Sequence, residues 1–290
     1  MLTRIAPTPS GYLHLGNVLS FVITAALAEQ TGASILLRID DMDRNRVNSA
    51  YVQDIFDTLN FLEIPWHRGP RNLQEFEHEW SQPHRMELYQ KALKQLQKGG
   101  SVFACSCSRT KIRQLNGSEG YPGTCYDKVV PMDTPDSSWR LHTNKESQVV
   151  VHNWPAGVTQ AALPAGVRNF VVKKKDGHPA YQLSSVMDDL HFGVNLIVRG
   201  VDLWASTLAQ HYLAGVLGAD AFEQIQFYHH GLLTGVEGVK LSKSAGATSV
   251  RYLRQSGKAA ADVYCEIAGM MGLNERVKDW RELAILLNLW

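Results

Sequence analysis

Cysteine is scarce in this chain: 290 residues carry four. Three of them crowd between positions 105 and 125, which does not read as a disulfide framework. Net charge is nearly absent as well, at +1. A broadly basic nucleic-acid coat is therefore excluded, and any contact with nucleic acid has to run through local patches. There is no long hydrophobic run. The longest apolar stretch, Val18 to Ala28, is far too short for a membrane span. A strand begins at once, leaving no room for a signal peptide. Internal repeats, biased tracts and low-complexity linkers are also lacking, and the composition is that of an ordinary globular protein. These absences predict a cytoplasmic protein with no membrane partner and ample length for a core; a monomer is expected, although no feature of the sequence decides the oligomeric state.

What is present starts at the N-terminus. Arg4-Ile5-Ala6-Pro7-Thr8-Pro9-Ser10-Gly11-Tyr12-Leu13-His14-Leu15-Gly16-Asn17 reads as a very short strand, a proline-stiffened loop and the first turn of a helix. The prolines fix φ, and the glycines let the backbone approach a ligand closely. If the helix continues through Val18 to Ala28, N–H groups near Gly16 and Asn17 point outward at the positive end of the macrodipole. A phosphate would sit there. A plain turn joining strand to helix fits the same residues.

The chain then alternates. Gly32 suits a helix C-cap, and Ser34 to Ile39 reads as a strand covered on both faces. It ends in Asp40-Asp41-Met42-Asp43-Arg44-Asn45-Arg46, at the carboxyl end where open α/β sheets bind ligands. A solvated loop, with Asn48 or Ser49 capping the next helix, is the plainer alternative. Ala50 to Leu62 and Gln82 to Lys98 have helical periodicity, Ile64-Pro65-Trp66 reads as extended, and Gly69-Pro70-Arg71 as a turn. Strand, helix, strand, helix at this spacing predicts a doubly wound parallel sheet.

At Val102 the texture changes. Cys105, Cys107 and Cys125, joined through a short polar helix at Arg109 to Leu115 and a Gly/Pro-rich return, suit a tetrahedral zinc site. His142 is the nearest histidine for a fourth ligand, Tyr121 an unusual oxygen alternative, and three small buried cysteines the plain reading. Ser137 to Asn169 is weakly patterned. Phe170 to Tyr181 looks like a hairpin with an Asp-Gly turn, its lysine triplet a solvated face or a phosphate contact. Helix is expected over Tyr181 to Leu190, strand over Val194 to Val198, and a helix capped by Asp202 up to Leu217. Gln224 to Tyr228 forms another run. A glycine-rich loop, Gly235 to Gly246, carries Lys240 and Lys243, which can close over a polyphosphate as point charges. From Ser249 the pattern is helical, with Cys265 a core residue. The expected organisation is 1–101 with 191–246 as a catalytic domain in two halves, 102–190 as a zinc-containing insertion, and 247–290 as a helical segment.

His14-Leu15-Gly16-Asn17 and Lys240-Leu241-Ser242-Lys243-Ser244 resemble the two signature motifs of class I aminoacyl-tRNA synthetases. Arg4 to Gly11, Leu37 to Asp43, Pro179-Ala180-Tyr181 and Val198-Arg199-Gly200 narrow the resemblance to the glutamyl-tRNA synthetase family. It implies a Rossmann-like catalytic domain that activates glutamate with ATP and Mg2+. In that family Arg4, Ala6, Thr8, Asp40, Tyr181 and Arg199 would hold glutamate. His14, Gly16, Lys240, Ser242 and Lys243 would hold ATP, with His14 and Lys243 catalytic. The chain most resembles the short members, whose zinc site at the positions of Cys105, Cys107, Tyr121 and Cys125 uses tyrosine as fourth ligand. Those members pass glutamate to queuosine in tRNA(Asp), and their anticodon-binding region is absent beyond the equivalent of Trp290. Asp40 stands where glutamate is usual, Thr8 and Ser10 exchange serine and threonine, and Ser185 replaces asparagine. Asn17 replaces a second histidine and is expected to matter least.

Overall fold

The computed structural model describes residues 1–117, 120–233 and 249–289. The first elements are β1 (Leu2–Ile5), α1 (Leu15–Thr31), β2 (Ser34–Leu37), α2 (Ser49–Phe61) and a short α3 (Leu73–Glu75). Next come α4 (Met86–Lys98), β3 (Val102–Cys105), α5 (Arg109–Asn116), β4 (Ser138–Leu141) and β5 (Gln148–Asn153). β6 (Val158–Ala162), β7 (Val171–Lys173), α6 (Tyr181–Phe192), β8 (Leu196–Gly200) and α7 (Trp204–Leu217) follow. The last are α8 (Asp220–Glu223), β9 (Gln226–His230), α9 (Val250–Gln255), α10 (Ala260–Met270) and α11 (Trp280–Leu286). By contacts the chain divides into two compact units. One holds Met1–His84, Leu196–Val201 and Tyr228–Trp290, the other Arg85–Asn195 and Asp202–Phe227. The helices after Ser249 thus fall in the first unit.

In the first unit β1 and β2 pair in parallel, from Leu2↔Ser34 to Ile5↔Leu37. A parallel pair needs a crossover, and α1 supplies it. Both strands are almost wholly buried, which is why neither alternates in sequence. α1 is apolar nearly all round because β1, β2, β8, α10 and α11 cover it from several sides. Gly32 closes it in the left-handed region, at φ 64. Asn48 caps α2, its side chain accepting from the Ala50 amide. The α/β expectation with a parallel sheet is met.

Some local expectations fail for identifiable reasons. Ile64-Pro65-Trp66 makes no strand; the ladder moves on to Arg68, which bridges Leu36 in parallel. The predicted helix from Gln82 is a 3-10 turn over Gln82–Arg85 before α4 starts at Met86. Pro83 can sit in such an opening turn but cannot donate within it. Asp202 lies inside a 3-10 turn, and Leu203 takes the cap position of α7.

The second unit has a three-stranded antiparallel sheet, β3-β4-β7, and a β5–β6 hairpin. Helices α4, α6 and α7 pack against one another. Asp188 on α6 is fully buried and accepts from Arg85 Nε at 2.7 Å and Tyr89 Oη at 2.6 Å. A buried carboxylate needs such partners. The Asp176-Gly177 turn forms as expected, with Gly177 at φ 84. Its return arm is a single bridge, Lys173↔Pro179, because proline offers no donor to a ladder. Among the described residues no helix is long and apolar enough to cross a membrane.

Two glycines separate strain from mere freedom. A Cβ on Gly69 (φ 104) would lie 2.3 Å from the Leu37 carbonyl oxygen, whereas one on Gly32 would meet open space. Gly69→Ala is expected to lower the unfolding free energy by about 3 kcal/mol or more, and Gly32→Ala by about 1 kcal/mol. Urea denaturation of both variants checks the contrast.

Candidate functional site

The loop after β1 is held by a ladder that runs on past the strands. The Arg38 amide donates to the Ile5 carbonyl at 2.9 Å, and the Asp40 amide to that of Pro7 at 3.0 Å. Asp40 is thereby set opposite the Pro7-Thr8 segment. Arg4 is buried on β1, and its Nη1 donates to the Val198 carbonyl of β8 at 3.1 Å. Ala6 is partly covered and Thr8 exposed. Arg38 grips the Asp40 carboxylate with two bonds, Nε to Oδ1 at 2.7 Å and Nη2 to Oδ2 at 3.1 Å. The three carboxylates of this segment thus divide. Asp40 pairs with Arg38; Asp41 is fully buried against Ser81, the Gln82 amide and Arg44; Asp43 is half exposed.

His14 is the N-cap of α1, and Gly16 lies in its first turn. A Cβ on Gly16 would come within 3.1 Å of the His14 ring, so glycine leaves the imidazole its place. Asn17, expected to matter least, closes the turn: its Oδ1 accepts from the His14 amide at 3.1 Å. The strand–turn side is held by Asp54 on α2, which accepts from the Leu13 amide at 3.3 Å and pairs with Arg254 of α9 at 3.4 Å. Burial raises the Asp54 pKa, and the Leu13 amide and Arg254 oppose that rise. Val250 donates to the Leu13 carbonyl at 2.9 Å, and Ser249 bridges His14. The chain that follows residue 248 is therefore tied directly to the His14 turn.

Arg199 is buried on β8, and His229 of β9 faces its charge. Burial first, then Arg199 and His230, push the His229 pKa down to about 4, leaving a neutral imidazole at pH 7. Tyr181 belongs to the second unit, where it is the exposed first residue of α6; Ser185 is buried on the same helix. Lys240, Ser242 and Lys243 lie outside the described residues. Sequence reasoning missed Arg38, Asp54 and His229 as contributors. Only the charge of Arg38 beside Asp40 offered a local signal.

The cysteine cluster assembles. Cys105 ends β3, and the Sγ atoms of Cys105, Cys107 and Cys125 all lie within 4.8 Å of one another, buried. Cys107 and Cys125 are 3.7 Å apart, close to the edge of about 3.8 Å that a tetrahedron with zinc–sulfur bonds of about 2.3 Å requires. The Tyr121 hydroxyl accepts from the Cys125 amide at 2.7 Å and from Cys105 Sγ at 3.5 Å. Arg140 lies 4.0 Å over the Tyr121 ring. His142 instead packs between Phe103 and Tyr126, at 4.7 and 4.8 Å, outside the cluster. The donor set fits zinc, with Tyr121 and not His142 beside the thiols. Burial is the largest influence on Cys105, yet Tyr121, the Cys107 amide and Arg140 bring its pKa below the ordinary thiol value. Burial and the bond to Cys125 push the Cys107 thiol up to about 11.

Comparison with known proteins adds the relatives. The family described as tRNA synthetases class I (E and Q), catalytic domain, matches residues 1–267. A protein named glutamyl-Q tRNA(Asp) synthetase from Nitratidesulfovibrio vulgaris is 31% identical over 287 residues, covering 93% of this chain and 86% of that protein. One of the same name from Synechococcus sp. is 34% identical over 273 residues, covering 93% and 83%. Glutamate–tRNA ligase 2 of Syntrophus aciditrophicus is 31% identical over 267 residues, but the chain spans only 54% of its length. The crystal structure of glutamate-tRNA synthetase from Elizabethkingia anophelis superposes with a TM-score of 0.76 at 21% identity. That likeness covers 98% of this chain and 64% of that one, and speaks for the fold.

His229 makes stability depend on acid. With a folded pKa of about 4 against 6.5 for the free side chain, the unfolded state takes up the proton first as pH falls. The contribution is whole above 6.5 and lost on the way down to 4. Between pH 7 and pH 5 the unfolding free energy should drop by about 2 kcal/mol through this residue. Urea unfolding at the two pH values, repeated on His229→Gln, should show a flatter dependence in the variant.

Proposed function

Because the chain belongs to the class I tRNA synthetases of the glutamate and glutamine group, we propose that it activates glutamate with ATP and passes it to the queuosine base of tRNA(Asp). It is a ligase of the aminoacyl-tRNA synthetase type. The acceptor is taken from the names of its relatives. The observation that carries the chemistry is the ladder from Ile5 and Pro7 to Arg38 and Asp40, which hangs Arg4, Asp40 and the His14 turn on one short loop.

In this reading residues 1–101 and 191–246 form a doubly wound, Rossmann-like catalytic domain, and 102–190 an acceptor-facing insertion. The glutamate α-carboxylate attacks the α-phosphorus of ATP, giving glutamyl-adenylate and pyrophosphate. Positioning and charge stabilisation lower the barrier. Arg4 meets the side-chain carboxylate as a planar fork, with Arg199 as its partner on β8; the family likeness also assigns Tyr181 to glutamate. Asp40, oriented by Arg38, receives the α-ammonium beside Ala6 and Thr8. His14, Gly16 and the α1 N-terminus hold the phosphates, together with Lys240, Ser242 and Lys243. Mg2+ accompanies ATP as counter-charge. Cys105, Cys107, Cys125 and Tyr121 would hold one zinc ion, which fixes the fold of the segment that carries them.

Two measurements test this. Pyrophosphate exchange with glutamate and ATP should proceed without tRNA, and labelled glutamate should appear on queuosine-containing tRNA(Asp) but not on the same tRNA lacking the modification. Exchange only with tRNA(Glu), or loading of a 3′ end, would replace the acceptor; no exchange under either condition would overturn the activity. The purified protein should contain about one zinc per chain, lost on Cys125→Ala, and a metal-free, fully active preparation would remove the zinc assignment.

A further inference from the structure

The zinc assignment leaves a charge to be answered. Three thiolates already outweigh the charge of one Zn2+, and a phenol oxygen that gives up its proton adds to the excess. The sulfurs are buried, so a cation nearby has to do what water cannot. Arg140 on β4, 9% exposed, is such a cation. The antiparallel register sets it opposite Phe103, with Ser138 opposite Cys105. Residues two apart on a strand share a face, so Phe103, Cys105 and Arg140 lie on the same side of the sheet. The pairing of β4 with β7 shifts register between Trp139 and Arg140, and an irregularity of this kind re-aims a side chain.

The guanidinium is fixed at one end and unanswered at the other. Its Nη1 donates to the Asn169 carbonyl at 2.8 Å. Asn169 is itself locked, in the left-handed region at φ 48, with its Oδ1 accepting from the Thr143 amide and hydroxyl at 3.0 and 3.2 Å. Nε is buried and meets no hydrogen-bond acceptor among the described residues. Leaving a buried donor of a charged group unpaired is costly, which points to an interaction that only the occupied site completes. The charge bears on Cys105 and lies 4.0 Å from the centre of the Tyr121 ring, which Phe103 also meets at 5.9 Å. A hydroxyl oxygen has two lone pairs. The Cys125 amide occupies one on Tyr121, at 2.7 Å, and the other remains for an ion.

We propose that Arg140 is the positioning residue of the zinc site, its guanidinium stacked on Tyr121 so that the phenol oxygen serves as the fourth donor. A phenol is a poor partner for zinc beside thiolates, and it competes only where its negative charge is stabilised. A cation over the ring face and close to Cys105 supplies that stabilisation. Groups outside the donor set tune metal affinity in this way by orienting the donors and balancing their charge. The inference rests on the zinc assignment above and adds a residue on which retention of the ion depends. An arginine that merely braced Asn169 would contribute the same whether or not residue 121 carries a hydroxyl.

The test is the zinc affinity of the full-length protein, read by competition with a chromophoric chelator. Arg140→Leu should bind zinc about thirtyfold more weakly than wild type. Arg140→Gln, which can still donate to the Asn169 carbonyl but has no charge, should lose about tenfold or more. Arg140→Lys, which keeps the charge and gives up the flat stack, should fall between Arg140→Gln and wild type. In a Tyr121→Phe background, Arg140→Leu should cost about threefold or less, because the two residues act through one contact. Melting temperatures of the zinc-free proteins are followed alongside; if Arg140→Leu does not fold, Arg140→Gln carries the same cycle. Wild-type affinity in Arg140→Gln would overturn the proposal. So would equal losses with and without the Tyr121 hydroxyl, since Arg140 would then only brace Asn169. A wild-type protein that takes up no zinc sinks the zinc assignment and this inference with it, whereas zinc held equally by wild type and the Arg140 variants sinks the inference alone.

Discussion

In the loop after β1, Pro7 has no amide hydrogen, so it meets its neighbour through its carbonyl alone, carrying on from the Ile5 carbonyl at the end of the strand. Arg38 and Asp40 supply the donors, at 2.9 and 3.0 Å. That one-sided ladder fixes the height of the loop above the sheet, and with it the place of Arg4, Thr8 and Asp40. The parallel register of β1 and β2 leaves little freedom beyond it, since a slip of one residue would turn Asp40 to the other face. The bidentate clasp of Arg38 on Asp40 then sets how the shorter carboxylate is presented.

Buried carboxylates perform the same service elsewhere. Asp41 gathers Ser81, the Gln82 amide and Arg44 around a stretch with little regular structure. Asp54 ties the Leu13 amide to Arg254, and in the second unit Asp188 joins Arg85 to Tyr89. Each is expensive to bury and each has partners of opposite charge or donors in place. Removing one partner would leave a charge with no water to answer it, so these pins hold loops more firmly than surface pairs of equal length. The pin at Asp54 matters most for the candidate site, because it links α2 and α9 to the turn that presents His14.

Legibility followed the range of the forces. β1, α1 with its Gly32 cap, β2, α2 with its Asn48 cap, α5 and the Asp176-Gly177 turn were readable because each depends on neighbours within a few residues. The convergence of Cys105, Cys107, Tyr121 and Cys125 was readable from spacing together with family likeness. What escaped was set from afar. β4 is buried along its whole length, so Ser138-Trp139-Arg140-Leu141 shows no alternation, and Arg140 owes its place to the Tyr121 ring. The clasp of Arg38 on Asp40 needs the ladder, the Asp54 pin spans 41 residues to Leu13 and 200 to Arg254, and His229 is defined by Arg199 on another strand. The cap that Asn17 gives the His14 amide was likewise not legible, because a comparison with histidine at that position does not bring a cap to mind.

The cysteine cluster also has a consequence of parity. Its thiols number three, and a disulfide consumes two. Cys107 and Cys125 approach to 3.7 Å, and a disulfide between them would leave Cys105 alone beside the Tyr121 hydroxyl. No internal oxidation can satisfy the whole set; a single ion can, because its valence is shared among all the sulfurs at once. An odd count of buried sulfurs therefore favours coordination over cross-linking, and it leaves a lone thiol as the record of any molecule that has been oxidised.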